Sequence, residues 1–164
     1  MLKIREANAS DSEAIWRIFH AVVARGDTYA LDPATSREDA LAYWLHAQNR
    51  CYVAESEGTI LGTYIIKANQ SGPGSHVANA AFMVAATARN RGVGKRMGEH
   101  ALNEARRRGF RAMQFNLVVS TNQSAVRLWQ QLGFTTVGTL PGAFRHPDRG
   151  FVDALVMYRA LIEP

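Results

Sequence analysis

The stretch from Ala80 to Gly98 narrows the possible folds more than any other part of the chain. An apolar run, Ala80-Ala81-Phe82-Met83-Val84-Ala85-Ala86, reads as a buried strand. A short polar turn follows, carrying Arg89, Arg91, Gly92 and Gly94, and then a helix begins. A strand that runs through a glycine-bearing turn into a helix N-terminus makes an anion site. The first amides of a helix have no helical partner, and the helix dipole adds roughly half a positive charge there. Glycine lets a phosphate approach backbone that a Cβ would otherwise shield.

Three phosphate-binding patterns compete for this turn. A P-loop ends in Gly-Lys-Ser/Thr with four residues between its two glycines. Here Arg96 follows Gly94-Lys95, and the preceding glycine, Gly92, lies too close. The dinucleotide pattern G-x-G-x-x-G fails because Met97 holds the place of the third glycine and Gly98 comes one position late. The pattern R-x-x-G-x-G fits, as Arg89, Gly92 and Gly94. It resembles the pyrophosphate loop of the GCN5-related N-acetyltransferases, the GNAT family.

A second stretch points the same way. Asn122-Gln123-Ser124-Ala125-Val126-Arg127-Leu128-Trp129-Gln130-Gln131-Leu132-Gly133-Phe134 is a short helix on its own terms. Asn122 is a good N-cap, Ala125, Leu128 and Leu132 form an apolar face, and Gly133 supplies the left-handed stop. It also resembles the GNAT segment N-x-x-A-x-x-L-Y-x-x-x-G-F, with Asn122, Ala125, Leu128, Gly133 and Phe134 in place. Trp129 stands where many family members carry a tyrosine.

The rest of the chain supplies the elements such a fold needs. Leu2 to Ala7 alternates as a first strand. Ser10 or Asp11 can cap a helix, with Glu13 completing a capping box, and Ile15, Ile18, Phe19, Val22 and Val23 form its apolar stripe. Gly26 ends that helix, and a polar–aromatic loop holds Asp27 and Tyr29. Ser36 caps a second helix containing Ala40, Leu41, Trp44 and Leu45. Cys51–Ala54 and Ile60–Lys67 read as strands joined by a Glu57-Gly58 turn. Residues 69–75 have linker composition, and His76 to Ala85 is the strand that feeds the phosphate turn. The helix from Gly92 to Arg108 carries Val93, Met97, Ala101, Leu102 and Ala105 on one face. Ala112–Val119, Phe134–Leu140 and Phe151–Tyr158 are further strands, the last with Asp153 among apolar neighbours. Pro141–Gly150 reads as a long loop with Arg145, His146 and Asp148.

Composition excludes several classes. A chain of 164 residues, 47% hydrophobic and 20% charged, suits one soluble domain spanning residues 1–164. No apolar run approaches the roughly 20 residues of a membrane helix, and charged residues directly follow Met1, so a cytoplasmic protein is expected. One cysteine rules out an internal disulfide, and the five histidines lack metal-ligand spacing, so no metal is expected. Cys51 opens an apolar segment and reads as a buried thiol rather than a nucleophile. The net charge of +5 suits an anionic ligand. Nucleic acid is not expected, because no basic run interleaves with aromatics and Arg106-Arg107-Arg108 closes a helix.

The resemblance implies an α/β (α+β) acyl-CoA N-acyltransferase fold. It comprises a mixed seven-stranded sheet splayed between strands 4 and 5, flanked by about four helices. The acetyl-CoA pantetheine would lie in the splay along Met83, Val84 and Ala85, and its pyrophosphate on Arg89, Asn90, Arg91, Gly92, Val93, Gly94 and Lys95. Asn122 and Trp129 would line the cofactor, and the Val84 N–H would polarise the thioester carbonyl as an oxyanion hole does. An amine acceptor would then attack directly. Asp27 and Tyr29 are candidate acceptor contacts, set against the reading of both as plain loop and packing residues. Arg145 and His146 are a further candidate pair on that side, set against a plain Pro147-Asp148 turn in solvent. An indole at Trp129 cannot act as a general acid, which leaves Tyr158 as candidate acid and no named base, since His76 sits at a strand start and Asn79 does not titrate. The alternative is a non-catalytic acyl-CoA-binding module or sensor. Either could be a monomer or a homodimer.

Overall fold

The computed structural model describes residues 1–162. In chain order the elements are β1 (Lys3–Glu6), α1 (Ser12–Val23), α2 (Arg37–Trp44), β2 (Arg50–Ser56) and β3 (Thr59–Ala68). They continue with β4 (Val77–Val84), α3 (Val93–Arg107), β5 (Ala112–Val119), α4 (Gln123–Gln131), β6 (Thr135–His146) and β7 (Gly150–Ala160). The seven strands form one sheet in the order β1-β2-β3-β4-β5-β7-β6. All neighbours are antiparallel except β4 and β5, which run parallel.

Two apolar layers cover the sheet. Ile15, Phe19, Val23, Ala40 and Trp44 of α1 and α2 pack with Val53, Ile65 and Met83 on one face. Met97, Ala101, Leu102 and Ala105 of α3 pack with Tyr64, Ala80, Met113 and Phe115 on the other, joined there by Trp129 and Leu132 at the α4 end. Period-2 alternation sends even positions of β4 to one layer and odd positions to the other. The first layer encloses Cys51, whose thiol burial pushes up to about 11, as expected for an inert buried cysteine.

The β2–β3 turn forms where the sequence places it, with Glu57 (φ 51) and Gly58 (φ 74) both left-handed, as a two-residue hairpin requires. The Ser36 cap also forms, its Oγ accepting the Asp39 N–H at 3.1 Å. Two expectations are corrected. The capping box is not Ser10–Glu13 but Asn8–Asp11, around a 3₁₀ turn that precedes α1. Asp11 is held there because Arg5 donates to both its oxygens, at 2.8 and 2.9 Å. The long loop expected at Pro141–Gly150 is mostly strand. β6 runs on to His146 and pairs with β7 at Phe144↔Val152 and His146↔Gly150. An irregularity between Leu140 and Phe144 absorbs Pro141, which cannot donate to a ladder.

Candidate acyl-CoA cleft

β4 and β5 pair only at Val77↔Ala112 and Ala78↔Met113, then separate. Three features mark the wedge. Between Phe115 and Val118 the β5–β7 register slips by one residue, a bulge that lies beyond the last β4–β5 pair. At the vertex the Asn79 amide donates to the Gln114 carbonyl at 3.0 Å, bridging strands whose backbones no longer pair. Deeper in, the Trp129 indole packs against both Phe82 of β4 and Phe115 of β5, at centroid distances of 4.9 and 4.6 Å, and these two rings meet edge to face at 6.2 Å.

The wedge opens into a cavity of about 910 Å³. Asn79–Val84 form one wall and Phe115–Val119 another; Ala125, Leu128 and Trp129 of α4 line a third side. The phosphate turn stands at one end. Ala125 and Leu128, expected to be core, are half-buried because they face this space, whereas Trp129 and Leu132 carry the α4 packing.

The register decides which backbone groups of β4 face the gap. In an antiparallel pair alternate residues turn both polar groups to the partner strand. The Ala85 N–H donates to the Leu61 carbonyl at 2.8 Å, and the Asn69 N–H donates to the Val77 carbonyl at 2.8 Å. The odd residues, Met83 and Ala85 among them, are therefore turned to β3, and Ala80, Phe82 and Val84 face the gap. Of these, Phe82 is already engaged. The Tyr29 hydroxyl accepts the Phe82 N–H at 3.0 Å and donates to the Phe82 carbonyl. Burial pushes the Tyr29 phenol far above its ordinary range, so it stays protonated at neutral pH.

The phosphate turn has the backbone geometry that its sequence suggests. A 3₁₀ turn (Ala86–Ala88) leads to an extended Arg89, a left-handed Asn90 (φ 59) and a left-handed Gly92 (φ 76). α3 starts immediately afterwards, and its first internal bond is the Arg96 N–H to the Gly92 carbonyl at 3.0 Å. The amides of Val93, Gly94 and Lys95 are thus left free of helical partners. Arg89, Asn90, Gly92, Val93, Gly94 and Lys95 line the cavity; Arg91 is exposed on the same turn but does not. A Cβ on Gly94 would have Leu128 Cδ2 at 3.4 Å and Val84 Cγ2 at 3.8 Å, so the glycine widens the cavity mouth rather than avoiding a clash.

The remaining sequence candidates separate. Asn122 lines the cavity, and its Oδ1 accepts the Ala125 N–H at 3.4 Å, so it caps α4 as well. Tyr158 is half-buried in β7, paired with Gln114 and Thr135, outside the cavity. His76 is exposed, and its carbonyl accepts the Arg111 N–H at 2.9 Å. Asp153 lies outside as well, where its Oδ1 accepts the Gly142 N–H at 3.0 Å. Asp27 pairs with Arg25 at 2.7 Å and, with His146, lines a second, smaller cavity. Sequence reasoning missed Phe82, Asn79's bridging role, and Lys67 and Tyr43 on the cavity wall. Among the described residues of that wall no carboxylate or imidazole appears, while Lys67, Arg89 and Lys95 make it cationic.

Comparisons with known proteins agree with this architecture. The profile of the acetyltransferase (GNAT) family matches residues 15–134. An N-acetyltransferase of Schizosaccharomyces pombe, aca1, is 32% identical over 151 residues, covering 82% of this chain and 72% of that protein. A GCN5-related N-acetyltransferase from Kribbella flavida is 47% identical, with a TM-score of 0.93 over 97% of both chains. The yncA protein of Salmonella typhimurium, solved with its cofactor acetyl-CoA, shares the fold at 24% identity. Its TM-score is 0.89 over 100% of this chain and 96% of that one.

Proposed function

Because the chain belongs to the GNAT acetyltransferase family, we propose that it moves the acetyl group of acetyl-CoA to the primary amine of a small-molecule acceptor, by direct attack in a ternary complex. The observation that carries this reading is the wedge. One unpaired strand edge, a phosphate-type turn and a cavity of about 910 Å³ meet in one place. The pyrophosphate would take the free amides at the start of α3, with Arg89 and Lys95 adding charge. The pantetheine would run along β4 as an added strand and meet the gap-facing groups of Val84, those of Phe82 being held by Tyr29 and those of Ala80 lying beyond it. Asn122 and Trp129 would flank it from α4.

The chemistry follows from these groups. The Val84 N–H aims at the thioester carbonyl and stabilises negative charge developing on its oxygen. The amine lone pair attacks the carbonyl carbon, a C–N bond forms, and the C–S bond breaks. The products are the N-acetyl amine and the CoA thiolate, and one amine proton is released. An alkylammonium with a pKa of about 10.4 must first become neutral. The cationic wall favours that neutral form, and with no carboxylate or imidazole on the described wall the proton leaves through water. The thiolate, with a pKa of roughly 8.5, departs without a side-chain acid. Trp129 cannot donate, Tyr29 is held in both directions by Phe82, and Tyr158 lies outside.

No helix among the described residues is long and apolar enough to cross a membrane, and we place the reaction in the cytoplasm. The decisive assay supplies acetyl-CoA and a broad amine panel and follows free-thiol release. Amine-dependent release supports the reading. Binding of acetyl-CoA with no amine raising release above background would overturn it and favour a non-catalytic acyl-CoA sensor.

A further inference from the structure

Side chains close on the wedge at Phe82 from both faces of the sheet. From the α1/α2 layer the Tyr29 phenol reaches the strand edge, and its one hydroxyl takes both gap-facing groups of Phe82. From the α3/α4 layer the Trp129 indole packs against the Phe82 and Phe115 rings, which also meet each other. These four residues all line the main cavity. A hydroxyl bonded in both directions resists displacement, because both bonds are lost with it. Trp129 is buried and held by Phe134 as well, at 5.9 Å. The constriction is therefore a fixed part of the shape of the site.

It stands next to the reacting position. Val84, whose N–H would hold the thioester carbonyl, is the next gap-facing residue toward the phosphate turn. Two residues of strand rise about 6–7 Å, and contact with the phenol oxygen takes up about 3.5–4 Å of that. About 2–3 Å then remain for carbon beyond the carbonyl, against about 1.5 Å for each C–C bond. An acetyl methyl fits, a propionyl chain fills the space, and a butyryl chain runs into the phenol. The Phe82, Phe115 and Trp129 rings bar a detour on the α3/α4 face. The way toward Leu31 and Tyr43 on the other face is the one left for the attacking amine.

From this geometry we infer that Tyr29 sets the length of the acyl group. Its hydroxyl, clamped on Phe82, stops the chain beyond the carbonyl, so the protein takes acetyl-CoA and rejects butyryl-CoA and longer thioesters. Tyr29 is thus a specificity determinant rather than an acid or base, since its proton is already given to the Phe82 carbonyl. The inference rests on the reading of the wedge given above, with the thioester at Val84. The transfer itself is the same for every acyl group. A C–N bond forms, the C–S bond breaks and the CoA thiolate leaves, so only the fit of the chain separates one thioester from another.

The test needs no acceptor. Calorimetric titration compares acetyl-CoA, butyryl-CoA and hexanoyl-CoA, with CoA as the reference ligand. Butyryl-CoA should bind the wild type about tenfold or more weakly than acetyl-CoA, the scale of forcing two extra methylenes into a packed site. Y29A removes the phenol and should bring the two thioesters close to equal affinity, by tightening the longer one. Y29F keeps the ring but frees the edge, and its ratio should fall between. Binding of CoA itself reports that each variant is folded, and Y29F carries the comparison should Y29A fail that check. If butyryl-CoA binds the wild type as tightly as acetyl-CoA does, this inference fails and the acetyltransferase reading stands. If the folded variants keep the wild-type ratio, the inference also fails, because a merely structural tyrosine would not move it. If neither CoA nor any thioester binds the wild type, the reading of the wedge is the one that fails.

Discussion

Replacing Trp129 with alanine should destabilise the protein and weaken CoA binding together. Trp129 is 8% exposed and touches three aromatic rings, Phe82, Phe115 and Phe134, at centroid distances of 4.9, 4.6 and 5.9 Å. A buried tryptophan removes on the order of 200 Å² from water, worth about 5 kcal/mol at 25 cal/mol per Å². That figure is an upper bound, since the unfolded chain already hides some of this area and alanine keeps its Cβ. Tryptophan-to-alanine changes in cores cost about 3–5 kcal/mol, and the upper half of that range applies, because Phe82 and Phe115 sit on separate strands and cannot both collapse into the hole. At about 2–4 °C per kcal/mol for a domain of this size, the midpoint should fall by about 8–20 °C. Urea denaturation with CoA titration tests both consequences, and W129F serves as the control that keeps most of the ring volume. A W129A protein that loses under about 1 kcal/mol and binds CoA like the wild type would refute the wedge argument.

Other consequences concern the turn, the strand edge and pH. Gly92→Ala forces a side chain into a left-handed conformation (φ 76); a loss of about 1–2 kcal/mol in stability should accompany weaker CoA binding in the same titration. Tyr29→Phe frees both gap-facing groups of Phe82, so a ligand able to pair with that edge gains two hydrogen bonds and should bind about thirtyfold more tightly, near 1 kcal/mol for each bond; weaker CoA binding would contradict the placement of the pantetheine. Acid should destabilise the fold in two stages. Burial lowers the His100 pKa beside Tyr64, so the unfolded chain binds more protons and stability falls as pH drops below about 6.5. Arg107, aided by Tyr52, holds Glu104 down to about 2, so its contribution is present above the unfolded value and is lost as pH falls from about 4.5 toward 2. Denaturation curves of H100Q and E104Q against pH separate the two: each variant should flatten only its own window.

What the sequence determined by itself is local. Gly92 needed a left-handed turn, Asn122 and Gly133 bounded α4, and the apolar stripes of α1 and α3 faced the sheet, because caps, φ preferences and helical period act over a few residues. Even Gly98, which fits no phosphate pattern, is explained only in three dimensions: a Cβ there would come within 2.5 Å of Leu132 Cδ1, so the glycine serves the α3–α4 contact. Tertiary structure alone decided which β4 amides face the gap, because strand register is set by the β3 partner and a slip of one residue would exchange the two sets. It also set Tyr29 on Phe82, 53 residues away, and carried β6 through the expected loop by pairing it with β7. Cross-strand hydrogen bonds and ring packing of that reach leave no periodic trace in sequence, and they are what join the phosphate turn and the strand edge into one site.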